Sequence, residues 1–433
     1  MSAPGQREFF TVKTVSEALT GFRPELRTPV ETIALAHALG RVPAEPITAP
    51  HALPGFARAT VDGFAVRAAD TYGASEGLPS YLDLIGEARM GQAPETEMRP
   101  GGAVAIATGA PLPPGADSVL KVEYTQSPTP ELIEVLRPAT PGEGMVRADE
   151  DAAPGAEIAR PGRPLRAQDL GMLAAAGIAE LPAYARPRVA IVSTGDELVP
   201  ADAPGELPVG QVRDSSAPAL AALVHEAGGQ PDFAGIVPDD RDALAATLRA
   251  IVKGSDPPTL KGSDPFRRVE GLSRGCDVLV VSAGSSVGAR DETAAAIASL
   301  GEPGIWCHGL SLKPGKPTLL ADVGGIPVIG LPGNPRSALV VFRLIGMPIV
   351  RMVGGCTEPP PEPSVRARLT RDLPSAAGRL DVVQVRLAGE VAEPLFGSSS
   401  LLSILTAADG YLLVPEAATG LAAGSDVEVM LYR

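Results

Sequence analysis

The chain has 433 residues, of which 45% are hydrophobic and only 4% aromatic, enough for two to four domains whose cores must be built from Ala, Val, Leu and Ile. Its 37 Lys and Arg against 51 Asp and Glu leave a formal net charge of −14. That charge excludes nucleic acid and anionic membrane as general partners, because both are bound through cations; an anionic small molecule needs a local cluster of Lys or Arg.

Along the chain, residues 28–40 (TPVETIALAHALG) carry helix punctuation, with Thr28 as N-cap, Pro29 at the first turn, Glu31 closing a capping box and Gly40 as terminator. A helix is expected there. Residues 56–138 alternate short apolar runs with Gly and Pro turns and predict a β-rich segment. Helix returns at 167–177 (AQDLGMLAAAG).

From residue 187 the rhythm changes. RVAIVSTGDEL, PDFAGIVPDD, CDVLVVSAG and IPVIGLPGN read as buried strands. Each is followed by a helical segment, the first capped by Ser215 or Ser216. Continuous apolar strands alternating with helices predict a doubly wound, mostly parallel sheet covered on both faces. Ligands of such sheets lie beyond the C-terminal strand ends. A twice-repeated KGSDP, at 253–257 and 261–265, reads as a flexible insertion on the side away from those ends. PPPEP at 359–363 is a stiff linker, and the period-two alternation after it predicts a small antiparallel barrel.

The chemically suggestive residues cluster after the strands. Thr194, Gly195 and Glu197 follow the first, Asp239 and Asp240 the second, and Gly284, Ser286, Gly288 and Asp291 the third. Pro332, Gly333, Asn334 and Ser337 follow the last, with Pro335 opening a helix. A strand, a glycine-rich turn and a helix can cradle phosphate on backbone N–H groups. That turn has no lysine, so it is not a P-loop. The cations stand on a separate loop, LKPGKP, as Lys313 and Lys316. Glu197, Asp239, Asp240 and Asp291 then suit a hard divalent cation such as Mg²⁺, which takes one or two carboxylates together with substrate phosphate.

These motifs, in this order, resemble the molybdopterin molybdotransferases of the MoeA type and the E domain of gephyrin. VDGFAV is similar to the family's MDGYAV, and TGAPLPPGAD, DEDAAPG, STGDEL, SVGxxD, KPGKP and LPGNPxSA follow. The resemblance spans the chain and implies four domains. A small helical one takes residues 1–50 with 150–186, and a β-rich one takes 51–149. A molybdopterin-binding α/β domain takes 187–355, with the insertion at 253–268, and a C-terminal β-barrel takes 359–433. It implies insertion of molybdenum from molybdate into adenylylated molybdopterin, with Mg²⁺ and release of AMP. Asp62, Asp151, Glu197, one of Asp239 and Asp240, and Asp291 match the family's functional acids, and Thr108 a site threonine. A homodimer is implied, its site lying between the α/β domain of one copy and the β-rich domain of the other. A molybdopterin adenylyltransferase is a further possible partner. The alternatives are a non-catalytic molybdopterin-binding scaffold and a molybdopterin adenylyltransferase. Three scattered cysteines, no charged-then-apolar leader and no apolar run of about 18 residues lead to a cytoplasmic expectation.

Overall fold

The computed structural model describes residues 12–255, 275–283 and 287–432, with 287–291 described by backbone alone. The repeated KGSDP segment therefore falls largely outside the described residues.

One six-stranded sheet runs in the order Gln230–Val237, Arg188–Thr194, Val278–Ser282, Ile326–Leu331, Leu319–Val323 and Pro303–His308. The first four strands are parallel and the last two antiparallel to their neighbours. Alternate residues enter two different cores. Val189, Ile191, Val278, Val280 and Ile329 pack with Leu220, Val224 and Phe342 of the helices on one face. Ala190, Val192, Leu279, Val281 and Val328 pack with Leu244, Leu248 and Ile251 on the other. Both layers are buried, and each buried Val, Leu or Ile side chain contributes roughly 1.5–3 kcal/mol. The chain leaves Arg188–Thr194 first toward Gln230–Val237 and then, from there, returns to its other side at Val278–Ser282. This reversal opens a crevice at the C-terminal ends of those strands.

The β-rich segment forms a mixed sheet in the order Ser118–Lys121, Gly63–Val66, Gly102–Ile106, Ser80–Ala88, Leu132–Val135 and Thr125–Thr129. After the proline linker, Leu380–Ala388, Val391–Pro394, Ser364–Leu369, Asp426–Leu431 and Gly410–Val414 pair in sequence, and the last pairs back to the first. A sheet closed on itself has no free edge. The two-residue strand Leu312–Lys313 adds in parallel to Leu380–Ala388. The lysine loop is thus sewn to the barrel.

The expected helix at 28–40 is absent. Val30–Ala34 is a strand, paired antiparallel with Glu180–Tyr184 in the register Val30↔Tyr184 to Ala34↔Glu180. Only a short 3₁₀ turn, Leu35–His37, follows. Val30, Thr32 and Ile33 are β-branched and favour a pleated surface. The presumed caps serve tertiary contacts: the Thr28 hydroxyl donates to Ala185 O at 2.7 Å, and the Glu31 carboxylate accepts from Arg41 at 2.5 Å. Residues 12–50 still carry one helix, Val15–Gly21, capped by Thr14. With it, the first unit holds the helix Ala167–Ala175 and two small antiparallel ladders, the second between Ile47–Thr48 and Glu157–Ala159.

Candidate active site

The acids after the first two strands meet. Thr194 ends its strand buried, and Gly195 N–H donates to Val237 O at 3.2 Å. Asp239 N–H donates to Asp196 Oδ1 at 3.3 Å. These bonds hold the Asp196–Glu197 turn beside the Asp239 turn. A side chain at Gly195 would begin 2.9 Å from Glu197 Oε2, so glycine leaves room for that carboxylate to fold over the strand end. Burial, and then the charges of Glu197 and Asp196, push the Asp239 carboxyl above the usual carboxylate range, while the Thr194 hydroxyl pulls the other way. Asp240 has a different task. Its Oδ1 accepts Ala243 N–H at 2.7 Å and caps the helix Arg241–Val252. Of the two acids that the sequence left open, Asp239 is the one in the cluster.

Gly284 and Ser286 lie outside the described residues. The helix after the strand is Val287–Ala298, so Gly288 and Asp291 stand within the helix rather than in the loop before it. The helix after the first strand, Ser216–Glu226, is capped by neither serine: Asp214 Oδ1 accepts Ser216 N–H at 3.0 Å and Ala217 N–H at 3.1 Å.

The lysine loop lies on the same rim. It leaves the C-terminal end of Pro303–His308 and enters Leu319–Val323, which runs antiparallel to Ile326–Leu331. Topology therefore places it beside the turn that follows Ile326–Leu331. Leu312 and Gly315 are buried and anchor the loop, while Lys313 and Lys316 are exposed. Leu310 N–H donates to Lys316 O at 2.8 Å, and the Thr318 hydroxyl to Gly315 O at 2.6 Å. Lys313 Nζ is 3.8 Å from Asp381 Oδ2. Among the described residues no acid pairs with Lys316.

Facing this loop, Pro332, Gly333, Asn334 and Ser337 form the turn into the helix Pro335–Val341. Asn334 Nδ2 donates to Ser399 Oγ at 2.9 Å and Arg336 N–H to Ser399 O at 3.3 Å, which ties the turn to the barrel. The space between the lysine loop, this turn and the barrel is a cleft of about 780 Å³. Sequence reasoning missed three of its lining residues: Arg336, Arg379 and Ser399. Arg336 was legible as the variable position of LPGNPxSA. Arg379 and Ser399 sit in a segment read only as barrel, and nothing local marked them.

Asp62 and Thr108 also meet, on the β-rich sheet. Asp62 Oδ1 accepts Thr108 N–H at 2.7 Å and its hydroxyl at 2.9 Å. The backbone bond first, and then the hydroxyl, hold the Asp62 carboxyl below its usual range. Gly63 is required beside it, because a side chain there would collide with Leu120 O. Asp151 is exposed on a neighbouring loop whose backbone is strapped down, its own N–H donating to Leu53 O at 2.9 Å. Asp62 and Thr108 belong to a different sheet and a different core from the acid rim and the cation cleft.

Family models match nearly the whole length. The MoeA N-terminal region (domain I and II) matches residues 13–177, a probable molybdopterin binding domain matches 190–256 and 267–352, and the MoeA C-terminal region (domain IV) matches 366–432. The break in the second match falls on the KGSDP repeat. The chain is 32% identical over 424 residues to molybdopterin molybdenumtransferase 2 of Mycobacterium tuberculosis, covering 96% of this chain and 97% of that protein. It is 30% identical over 411 residues to the molybdopterin molybdenumtransferase of Bacillus subtilis, covering 93% and 90%. Among solved structures, a molybdopterin biosynthesis MoeA protein from Pyrococcus horikoshii superposes with a TM-score of 0.76 at 30% identity, over 98% of this chain and 100% of that one.

Proposed function

Because the chain belongs to the MoeA family of molybdopterin molybdenumtransferases, we propose that it inserts molybdenum from molybdate into adenylylated molybdopterin and releases AMP. What supports this reading is that cations and acids both stand at the C-terminal rim of the parallel strands, the cations around one cleft and the acids on separate strand-end turns. Lys313, Lys316, Arg336 and Arg379 border a single cleft, and Glu197 and Asp239 stand on strand-end turns of the same rim. A substrate with a phosphate bridge and an oxyanion co-substrate are both anions, so a net-acidic protein must concentrate its cations to hold them.

Among the described residues no group of three or more His, Cys, Asp or Glu side chains is arranged to hold a metal ion. The donor chemistry nevertheless fits Mg²⁺, which keeps waters and takes one or two carboxylates with phosphate oxygens. Glu197 and Asp239 would hold it, and relief of their mutual repulsion would favour its binding. When bound, the ion would offset charge on the phosphates. The protein's own groups do the rest. The cleft orients the anionic end of the substrate.

Asp62, kept ionised by Thr108, needs the α/β rim of a second copy to act on the same substrate, so the working unit is a homodimer with shared sites. No helix among the described residues is long and apolar enough to cross a membrane. The three cysteines are buried and unpaired, which supports a reducing, cytoplasmic setting. The test is AMP release from adenylylated molybdopterin with molybdate. Asp239→Asn and Lys316→Ala should each lower turnover by at least 100-fold on the scale of lost positioning or acid–base groups. Wild-type turnover in both variants would refute the assignment.

A further inference from the structure

Two cations of the cleft, Lys316 and Arg336, have no acid partner among the described residues, and of these Arg336 has a buried donor. Arg379 Nε donates to Asp381 Oδ1 at 2.8 Å, and Lys313 lies 3.8 Å from the other oxygen of that carboxylate. Asp381 is buried and is thereby saturated. Arg336 N–H donates to Ser399 O, and among the described residues its side chain makes no hydrogen bond or ion pair. Its Nε is buried and has no hydrogen-bond partner. Burial lowers the proton affinity of this guanidinium, and the group that most favours its charge is the Tyr432 hydroxyl. Arg336 is also the second residue of the helix Pro335–Val341, where the backbone dipole favours negative charge, not positive. A buried donor left unpaired destabilises the fold. Such a residue is explained when its partner is a ligand.

We propose that Arg336 is an anion-binding residue of this cleft, closing its guanidinium on a tetrahedral oxyanion that Lys316 also faces. The idea rests on the transferase reading and adds to it a residue at the variable position of LPGNPxSA. The oxyanion is either molybdate or a phosphate of the adenylylated substrate; the chemistry is shared, because a planar guanidinium fork fits both.

The experiment compares the full-length wild type with Arg336→Val and Arg336→Lys by calorimetric titration with molybdate and, separately, with inorganic diphosphate. Melting is followed with and without each anion. Arg336→Val should weaken one of the two at least tenfold, and that one names the source. Arg336→Lys should recover part of the loss. Without anion, Arg336→Val should melt at or above the wild-type temperature, since an unpaired buried donor has been removed. With the anion, it should lose the upward shift that the wild type shows. Two results overturn the proposal: both anions binding Arg336→Val within twofold of wild type, or Arg336→Val melting lower or failing to fold, which would make the arginine a brace between helix and barrel. Either leaves the transferase reading intact as long as the wild type releases AMP. A wild type that binds neither anion and releases no nucleotide overturns that reading and this one with it.

Discussion

Replacing Gly315 with alanine should damage the lysine loop through two separable effects. The residue has φ +128, a conformation that L side chains rarely adopt, and the strain on alanine is roughly 1–2 kcal/mol. Its new Cβ would lie 2.5 Å from Val341 Cγ2 and 3.0 Å from Leu312 Cδ2. Both neighbours are buried, Val341 at 0% and Leu312 at 2% exposure, so neither can swing aside, and overpacking adds about 1–3 kcal/mol. The sum is about 2–5 kcal/mol. Gly324→Ala is the control: its φ is +60, but nothing lies within 4 Å of the added Cβ, so only the strain remains. Trp306 is the single tryptophan and sits on the edge strand Pro303–His308. Its fluorescence during denaturant unfolding reports on the α/β domain. Gly315→Ala should lose clearly more stability than Gly324→Ala, and it alone should raise KM for the anionic substrate, since Lys313 and Lys316 flank it. Equal losses, within about 0.5 kcal/mol, would refute the packing argument.

Three further outcomes are expected. Asp239 has a raised folded pKa, so it lowers stability as pH climbs from the ordinary 3.8 through its folded value; Asp239→Asn should remove that decline and melt higher at neutral pH while losing AMP release, and a lower melting temperature would contradict the like-charge cluster. Asp62 has the opposite shift, so its contribution is present above the ordinary carboxylate pKa and is lost as pH falls through the depressed value. Thr108→Ala should therefore move the acid limb of the activity profile to higher pH, and an unmoved limb would show that Asp62 is not an acting group. Finally, inactive Asp62→Ala and Lys316→Ala chains, unfolded together and refolded as a mixture, should regain a fraction of wild-type turnover if each site draws on two copies. No recovery in a mixture shown to contain mixed dimers would confine each site to one chain.

The α/β domain was legible because its strands are unbroken apolar runs and its turns are marked by Gly, Pro and Asp. Local pattern and tertiary outcome agree there. At 28–40 they diverge. Thr28, Pro29, Glu31 and Gly40 satisfy every local cue for a helix, yet the partner that makes Val30–Ala34 a strand lies about 150 residues away, at Glu180–Tyr184. The cap of the Ser216–Glu226 helix shows the same limit on a small scale, since Asp214 reaches the N–H groups that the serines were expected to take. In the site, Thr108 and Asp62 came from motif resemblance and the structure bonds them directly. Which of Asp239 and Asp240 caps the helix depended on side-chain direction, which sequence does not encode locally. Arg379 and Ser399 join the cleft only because Leu312–Lys313 pairs with Leu380–Ala388 across two domains.

The account depends on one reaction at one rim. The direct measurement is to mix the wild-type protein with adenylylated molybdopterin, Mg²⁺ and molybdate, and to follow free AMP alongside protein-bound molybdenum. Nucleotide release that requires molybdate, in step with molybdenum gained by the pterin, is the predicted result. Release at the same rate without molybdate, or none with it, would contradict the account.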